Sequence, residues 1–320
     1  MAHVTALAAA RHHVYATAGW DLREQGLAAL PPLQVVLCES RHITLIRALR
    51  LLGIGQQQEV VVPADDQGRM RADLLPGLLD DGRPTIVCAQ AGEINTGAFD
   101  DLAAVVDAAR EVGAWVHVDG AFGLWAAVTP TLRHLLDGNE GADSWATDAH
   151  KWLNVPYDCG IALCAHPEAH AAALEYAAPY IDIADRAVAR DPMAYSPEFS
   201  RRARGVSVYA ALRSLGRSGL AELVERCCAH ARAIAAGLAE LPGCTLLNDV
   251  VLNQVLLRFE TDETTEAILA AVQAEGDVYP SHSTWDGRPA IRVSVCSWRT
   301  NERDVERTLA SFRRAQRQAD

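Results

Sequence analysis

The sequence predicts an α/β fold, with a mostly parallel β-sheet covered by helices on both faces and a smaller C-terminal α/β domain. Three observations predict it. The chain has 320 residues, half of them hydrophobic, which is enough for a large core. Short β-rich runs alternate with longer helical patterns through the first two thirds of the chain. These runs are apolar nearly throughout, as is typical of strands buried on both faces.

Six runs are expected to form the large sheet. They are LQVVLCES (33–40), EVVVP (59–63), PTIVCAQAG (84–92), AWVHVDG (114–120), GADSWATD (141–148) and CGIALCA (159–165). Helical patterns over 42–52, 72–79 and 100–112 separate the first four runs. Because side chains for ligand chemistry emerge at the carboxyl ends of strands in such sheets, we expect a site at that edge.

The pattern changes after Pro179. A proline-bearing segment of mixed charge, 178–200, predicts a long loop. A helical stretch over 201–216 and an amphipathic helix over 220–241 follow. Strand-like runs at 250–260 and 290–298, a helix at 264–275 and a last helix from Glu302 complete the tail. We therefore expect a large domain over 1–218 and a small domain over 219–320.

Composition limits the partners and the compartment. The net charge of −12 disfavours nucleic acid and anionic membranes as general partners. The eight cysteines show no C-x-x-C spacing and several lie in apolar runs, which favours reduced thiols and a cytoplasmic location. No run is long enough for a membrane span, the opening MAHVTALAAARHHV does not resemble a signal peptide, and His12–His13 lacks the other ligands of a metal site.

Two polar residues mark the ends of predicted strands. Asp119 ends AWVHVDG, and Lys151 follows SWATD in a chain whose positive charge is carried almost wholly by arginine. Gly120 and Ala121 leave room for a flat group beside Asp119. A partly desolvated lysine amine is a competent nucleophile toward a carbonyl. A structural ion pair between Lys151 and Asp119 is the alternative interpretation.

These segments resemble a known family. HVDGAFG and DSWATDAHKW with NVPYDCG, together with ESRHITLIRALRLLG, AQAGEINTGAFD and SRRARGVSVYAALRSLG in the same order, resemble the group II pyridoxal-phosphate-dependent amino-acid decarboxylases, which include the aromatic-amino-acid and glutamate decarboxylases. The resemblance covers nearly the whole chain. It implies fold-type I architecture, pyridoxal 5'-phosphate as cofactor, a homodimer, and decarboxylation of an L-amino acid to an amine and CO2.

The resemblance also implies roles for four residues. Lys151 would attach to the cofactor aldehyde. Asp119 would accept a hydrogen bond from the pyridine nitrogen and keep it protonated, so that the ring draws electrons from the substrate. His42 would stack on one face of the ring, and Ala121 would support the other. A histidine that only begins a helix is the alternative for His42.

Further residues are implied near the cofactor with less definite roles. His150, Asp148 and Ser144 would line the phosphate or ring side, and polar loop residues are the alternative interpretation. Glu93 to Thr96 would lie near the ring or its 3-hydroxyl group. In the family a tyrosine on a loop returns a proton to the substrate Cα. Tyr195 is the candidate here, with Tyr180 second, and both could instead be packing residues.

The sequence departs from the family pattern at its start. Family members carry an N-terminal region with helices that entwine the dimer, part of the substrate pocket, and a small-residue loop that cradles the cofactor phosphate. This sequence begins near the end of that loop, and its first glycine is Gly19. We expect weakened phosphate binding at the helix start over 2–5, aided by the Met1 ammonium. A start assigned too far downstream is the alternative.

Other functions stay open from the sequence. Aromatic, acidic and diamino substrates are all compatible with the motifs, with aromatic or neutral ones preferred. An aminotransferase or another lyase would use the same cofactor. A catalytically silent homologue, acting as a fold fragment or a dimerisation partner, is the alternative from a different class.

Overall fold

A computed structural model describes residues 1–79, 82–176 and 190–319, and six strands within these ranges form one large sheet. They are β1 (Gln34–Cys38), β2 (Glu59–Val62), β3 (Thr85–Gln90), β4 (Trp115–Asp119), β5 (Ser144–Asp148) and β6 (Gly160–Cys164). Their order is β2-β1-β3-β4-β5-β6, and every neighbouring pair is parallel except β5 and β6. The predicted mostly parallel sheet is confirmed.

The antiparallel pairing of β6 differs from the simple βαβ series. Only residues 149–159 connect β5 to β6. A parallel strand needs a crossover of a dozen or more residues, usually with a full helix. The short connection therefore turns the chain back on itself, and it carries the predicted lysine.

Helices cover both faces of this sheet. In the first two thirds of the chain they are α1 (Ala2–Thr17), α2 (Leu22–Gln25), α3 (Ile43–Leu51), α4 (Leu102–Glu111), α5 (Ala149–Trp152) and α6 (Pro167–Leu174). Successive strand residues point to opposite faces. Val35 packs with Leu7 of α1 and Leu49 of α3, whereas its neighbour Val36 shares the second core with Val105 of α4. Burial on both faces explains why the strands are apolar throughout.

The helix predicted over 72–79 is wrong in type. The structure has a 3-10 helix at Ala72–Gly77, with Pro76 inside it. Proline lacks the N–H that an α-helix needs at an interior position and clashes with the preceding turn, so a short 3-10 segment forms instead.

A long helix joins the large sheet to the C-terminal part. This helix, α7, spans Arg204–Ala239 and is kinked at Gly216, whose φ of 62° and ψ of −178° are not helical. Glycine adopts a positive φ at little cost. The two predicted helices are thus parts of one kinked element, and the domain boundary predicted at 218/219 falls just after the kink and stays a prediction.

The C-terminal part contains a second, antiparallel sheet. Its strands are β7 (Thr245–Leu246), β8 (Gln254–Arg258), β9 (Ser281–Trp285) and β10 (Arg288–Ser294), in the order β7-β8-β10-β9, with helices α8 (Asp262–Glu275) and α9 (Glu302–Ala319). β9 was not predicted because its sequence, SHSTW, is polar. The turn Asp286–Gly287, with φ of 50° and 71°, is the sequence signal for this hairpin.

None of the helices in the described ranges combines the length and the apolar character needed to cross a bilayer.

Candidate active site

A cleft lies at the carboxyl edge of the large sheet, beside the start of α1. Strand order reverses between β1 and β3, and ligand clefts in α/β sheets form at such points. The cleft has a volume of about 380 Å³, which suits a small molecule. It is lined by residues at or after the carboxyl ends of β1, β3, β4 and β5, among them His42, Gly92, Asp119, Ala121, Asp148 and Lys151. The structure therefore brings Lys151 and Asp119 to one cavity.

Asp119 is the last residue of β4 and only 8% of its surface is exposed. Its Oδ1 accepts the backbone N–H of Ala121 at 3.2 Å, and its Oδ2 lies 3.4 Å from Nε2 of His3. Burial alone would raise the pKa of Asp119. The interactions of the carboxylate with His3, the Ala121 N–H and the nearby His117 imidazole outweigh burial and hold the pKa of Asp119 well below its usual range. The carboxylate is therefore ionised at neutral pH.

Lys151 lies in the single-turn helix α5, directly after β5. Its Nζ is 3.2 Å from Oδ2 of Asp148 and 4.0 Å from the centre of the Phe122 ring. About a fifth of the side chain, 21%, is exposed, so the amine is held in place but open to the cleft. The partner of Lys151 in the structure is Asp148, whereas Asp119 is engaged by His3. The predicted alternative of a structural pair between Lys151 and Asp119 is wrong.

His42 begins α3 after β1 and faces the same cleft. Its Nδ1 lies 2.7 Å from Oγ1 of Thr44 and accepts the Thr44 N–H at 3.3 Å, which fixes the ring. Burial lowers the pKa of His42, and the positive charge of Lys151 lowers it further against the opposing effect of Asp119. A fixed, neutral imidazole can stack on a flat aromatic ligand. His42 therefore both caps the helix and lines the cleft.

The backbone after Asp119 closes tightly around the cleft wall. A Cβ added at Gly123 would lie 2.3 Å from the carbonyl oxygen of Ala91, so only glycine fits there. This close approach sets Ala121 and Phe122 at the cleft surface. The small side chain of Ala121 leaves the space beside Asp119 open.

The two polar residues around Lys151 form one wall of the cleft. His150 places Nδ1 2.9 Å from the carbonyl oxygen of Cys159, and its ring centre lies 4.3 Å from that of Tyr157. Its Nε2 is 3.8 Å from Asp148. Both His150 and Asp148 line the cleft, and their contacts with a cofactor stay predictions.

Two other predicted residues lie apart from the cavity. Glu93 is 2% exposed and accepts the N–H groups of Asn95 at 2.6 Å and Thr96 at 2.8 Å. Burial raises the pKa of Glu93. Among the described residues lining the cleft are its neighbours Gly92 and Ile94, but not Glu93, so its carboxylate shapes the turn. Ser144 is fully buried at the start of β5 and is likewise not among these lining residues, so placing it beside the cofactor is wrong.

Tyr195, the predicted proton donor, is among the residues that line the cleft. Its ring packs edge-on against His170 at 5.1 Å between centres, and the guanidinium of Arg190 lies 3.8 Å from the ring centre. The second candidate, Tyr180, lies outside the described residues. Tyr195 is thus placed to reach the cavity, and its role stays a prediction.

His3 was missed by the sequence analysis. It reaches Asp119 because α1 packs across β4, β5 and β6, which brings the third residue of the chain beside the end of β4. The sequence held one signal for His3, because it lies within the helix start over 2–5, which was already expected beside the cofactor phosphate.

The chain is similar to known proteins over most of its length. A family model described as "Pyridoxal-dependent decarboxylase conserved domain" matches residues 1–260. Tryptophan decarboxylase 1 of Oryza sativa subsp. japonica is 28% identical, covering 95% of this chain and 62% of that protein. The aromatic-L-amino-acid decarboxylase of Drosophila lebanonensis is 29% identical, covering 83% and 66%. The cysteine sulfinic acid decarboxylase of Mus musculus is 36% identical over 148 residues, covering 45% and 30%.

Solved structures share the fold. A crystal structure of Oryza sativa TDC with PLP and tryptamine has a TM-score of 0.91 at 24% identity, covering 99% of this chain and 68% of that chain. Mouse CSAD has a TM-score of 0.89 at 23% identity, covering 98% and 70%. The chain spans less than two thirds of the length of each of the three curated relatives above, from 30% to 66%.

Proposed function

The chain belongs to the pyridoxal-dependent decarboxylase family, and from this premise we propose that it removes the α-carboxylate of an L-amino acid as CO2, with pyridoxal 5'-phosphate held in the cleft at the carboxyl edge of the large sheet. The observation that carries this proposal is the shared cavity of Lys151 and Asp119, an amine and an ionised acid at neighbouring strand ends. Lys151 is the only lysine in the sequence, in a chain with 29 lysine and arginine residues together.

The residues present fit the family's cofactor. The cofactor is a pyridine ring that carries an aldehyde and a phosphate. Its site needs an amine for the aldehyde, an acid for the ring nitrogen, and flat or small side chains beside the two ring faces. Lys151 supplies the amine, Asp119 the acid, and His42 and Ala121 the two walls, all on one cavity. When bound, the cofactor withdraws electrons from the bond to the leaving carboxylate.

Each side chain has a defined task in this proposal. Lys151 attaches the cofactor through Nζ and accepts or gives up protons as the substrate amine takes its place. Asp119 keeps a proton on the ring nitrogen, which it can do because its own carboxylate stays ionised at neutral pH. His42 restrains the ring plane from one face. Tyr195 delivers a proton to the substrate Cα.

We also place the cofactor phosphate at the start of α1. Ala2 and Thr5 line the cleft there, together with Gly160. The first N–H groups of a helix have no partner within the helix and carry partial positive charge, which favours a phosphate. The cofactor affinity of the 320-residue chain, compared with a chain extended upstream, tests whether this cradle is weak; equal affinity would reject the idea.

For the substrate we propose an aromatic or neutral L-amino acid. Its support is that the relatives matched over 95% and 83% of this chain are a tryptophan and an aromatic-L-amino-acid decarboxylase. Phe122 and Ile94 also give the cleft apolar walls. Assays of CO2 release with aromatic, acidic and diamino substrates test this choice. Faster turnover of an acidic or diamino substrate would overturn it.

The activity itself is tested with purified protein and added cofactor. We expect an absorbance band of lysine-bound cofactor that is lost in Lys151→Ala, and CO2 release on adding substrate. Formation of a keto acid instead of CO2 would indicate an aminotransferase. A parent protein that binds no cofactor would favour a silent homologue.

We further propose that the chain forms a homodimer. Val206 and Tyr209 are each 67% exposed and Leu212 is 40% exposed. They recur every three residues on the first part of α7, and exposed apolar groups clustered in this way are typical of interaction surfaces. Light scattering on the purified protein should give the mass of two chains, and Tyr209→Asp should shift it toward one. A parent with the mass of one chain would contradict the proposal.

A further inference from the structure

A line of polar side chains begins at Asp119 and the half-buried His3, which both line the cleft, and continues into the protein interior. His3 Nε2 lies 3.4 Å from Asp119 Oδ2, and His3 Nδ1 lies 3.0 Å from Nε2 of His117. His117 Nδ1 in turn lies 3.0 Å from Oγ of Ser144, which accepts the indole N–H of Trp115 at 2.8 Å. His117 and Ser144 are fully buried and Trp115 is 2% exposed. We call this set of five side chains the Asp119 relay.

The two ends of the relay determine the direction of its hydrogen bonds. The Trp115 indole can only donate and an ionised Asp119 can only accept. One arrangement with neutral histidines satisfies every member. Ser144 donates to His117 Nδ1, His117 donates from Nε2 to His3 Nδ1, and His3 donates from Nε2 to Asp119. In this arrangement His3 presents an N–H to the acid.

The relay leaves Asp119 able to bind a further donor. Its Oδ1 takes the Ala121 N–H and its Oδ2 faces His3, and an ionised carboxylate has about four acceptor positions. His3 belongs to α1, whereas Ala121 follows β4, so two separate elements hold the carboxylate from two sides. A carboxylate held in this way cannot rotate freely as a ligand binds, which lowers the entropy lost on binding.

We propose that His3 is a positioning residue for Asp119. As a member of the Asp119 relay, His3 holds the carboxylate in the orientation that meets the cofactor's ring nitrogen. This proposal rests on the proposed function of the cleft. His3 does not touch the reacting atoms in this proposal. Its contribution is to fix the oxygen that meets the ring nitrogen and to supply the N–H that keeps the acid in place.

Three variants of His3 separate this role from simple packing. The side-chain amide of asparagine reaches as far as Nδ1 of histidine, and that of glutamine as far as Nε2. His3→Asn therefore keeps a partner for His117 and loses the link to Asp119, His3→Gln keeps a donor for Asp119, and His3→Leu removes both links. The control is His12→Leu, nine residues further along α1 and therefore on the opposite face of the helix.

Cofactor affinity is measured by absorbance titration. We expect His3→Asn and His3→Leu to raise the dissociation constant by roughly 2- to 10-fold, because the freed carboxylate must then be ordered when the cofactor binds. His3→Gln should restore affinity close to that of the parent, and His12→Leu should not change it. Parent-like affinity in His3→Asn would overturn the proposal. If His3→Leu does not fold, the asparagine and glutamine variants still decide the outcome.

A second readout does not depend on the cofactor. Nitrogen-15 NMR of the histidine rings in the cofactor-free protein should show His3 and His117 both protonated at Nε2 and not at Nδ1, and Asp119→Asn should shift the His3 Nε2 signal. Protonation of His3 at Nδ1 alone, or no shift in Asp119→Asn, would contradict the relay. A parent that shows the relay but binds no cofactor would refute the proposed function and leave the link between His3 and Asp119 standing.

Discussion

Replacing Asp119 by asparagine tests the charge that the cleft presents to its ligand. The amide keeps an oxygen for the Ala121 N–H, which Asp119 accepts at 3.2 Å, so the loop after β4 retains its contact. The amide carries no charge and cannot keep a proton on a pyridine nitrogen. A hydrogen bond to a charged group contributes about 1.5–3 kcal/mol, so Asp119→Asn should weaken cofactor binding by about 10- to 150-fold. Turnover should fall further, because the ring loses its ability to draw electrons.

The assay is an absorbance titration with pyridoxal phosphate, followed by CO2 release at saturating cofactor. Thermal unfolding of the cofactor-free variant is measured in parallel, because the substitution also removes the attraction between Asp119 and His3. Asp107→Asn is the matched control, since Asp107 is 75% exposed on α4 and outside the cleft. A folded Asp119→Asn protein that binds the cofactor as tightly as the parent would refute the assigned role of the acid.

Three further predictions concern stability and turnover. Burial lowers the pKa of His117 to about 3, against 6.5 in an exposed chain, so the unfolded state takes up the proton first as the pH falls. The free energy of unfolding should therefore drop between pH 6.5 and 3, with a contribution from this group of up to about 1.4 kcal/mol per pH unit. In urea unfolding at several pH values, the free energy of unfolding of His117→Gln should depend less steeply on pH than that of the parent, and an equal pH dependence would contradict this. Asp100 accepts the N–H groups of Met70 and Gln90, both at 2.7 Å, with its two oxygens. Asp100→Asn should lower the free energy of unfolding by about 1–3 kcal/mol in urea titration, because one N–H loses its acceptor, and an unchanged midpoint would argue against it. Tyr195→Phe should reduce kcat by about 100-fold with unchanged cofactor affinity if the phenol supplies the Cα proton, whereas a parent-like kcat would assign Tyr195 to packing.

The strands of the large sheet, and the place of Lys151 at the edge of that sheet, could be predicted because the sequence signals for them are local. Apolar runs bounded by turns gave all six strands of the large sheet, and strand ends indicated where Asp119 and Lys151 would lie. The turn Asp286–Gly287 carried a hairpin signal that the polar sequence of β9 obscured. Pro76 was a visible sign against the α-helix predicted around it.

The partners of Asp119 could not be predicted, because they depend on long-range packing. His3 and Asp119 are far apart in the sequence and meet only because α1 crosses the strands. Lys151 differs in this respect, because its partner Asp148 lies only three residues before it in the sequence. Ser144 and Asp148 lie at opposite ends of the same strand, β5. A motif match does not show which end of the strand faces the cleft.

The most direct test of the central claim locates the covalent attachment of the cofactor. The protein is incubated with pyridoxal phosphate, reduced with borohydride, digested and analysed by mass spectrometry. Because Lys151 is the only lysine in the sequence, the only other primary amine is that of the chain's first residue, and peptide mapping separates the two. We predict one reduced cofactor per chain on the peptide that contains Lys151, absent in Lys151→Ala. An unmodified Lys151 at saturating cofactor, or label confined to the amino terminus, would contradict the account.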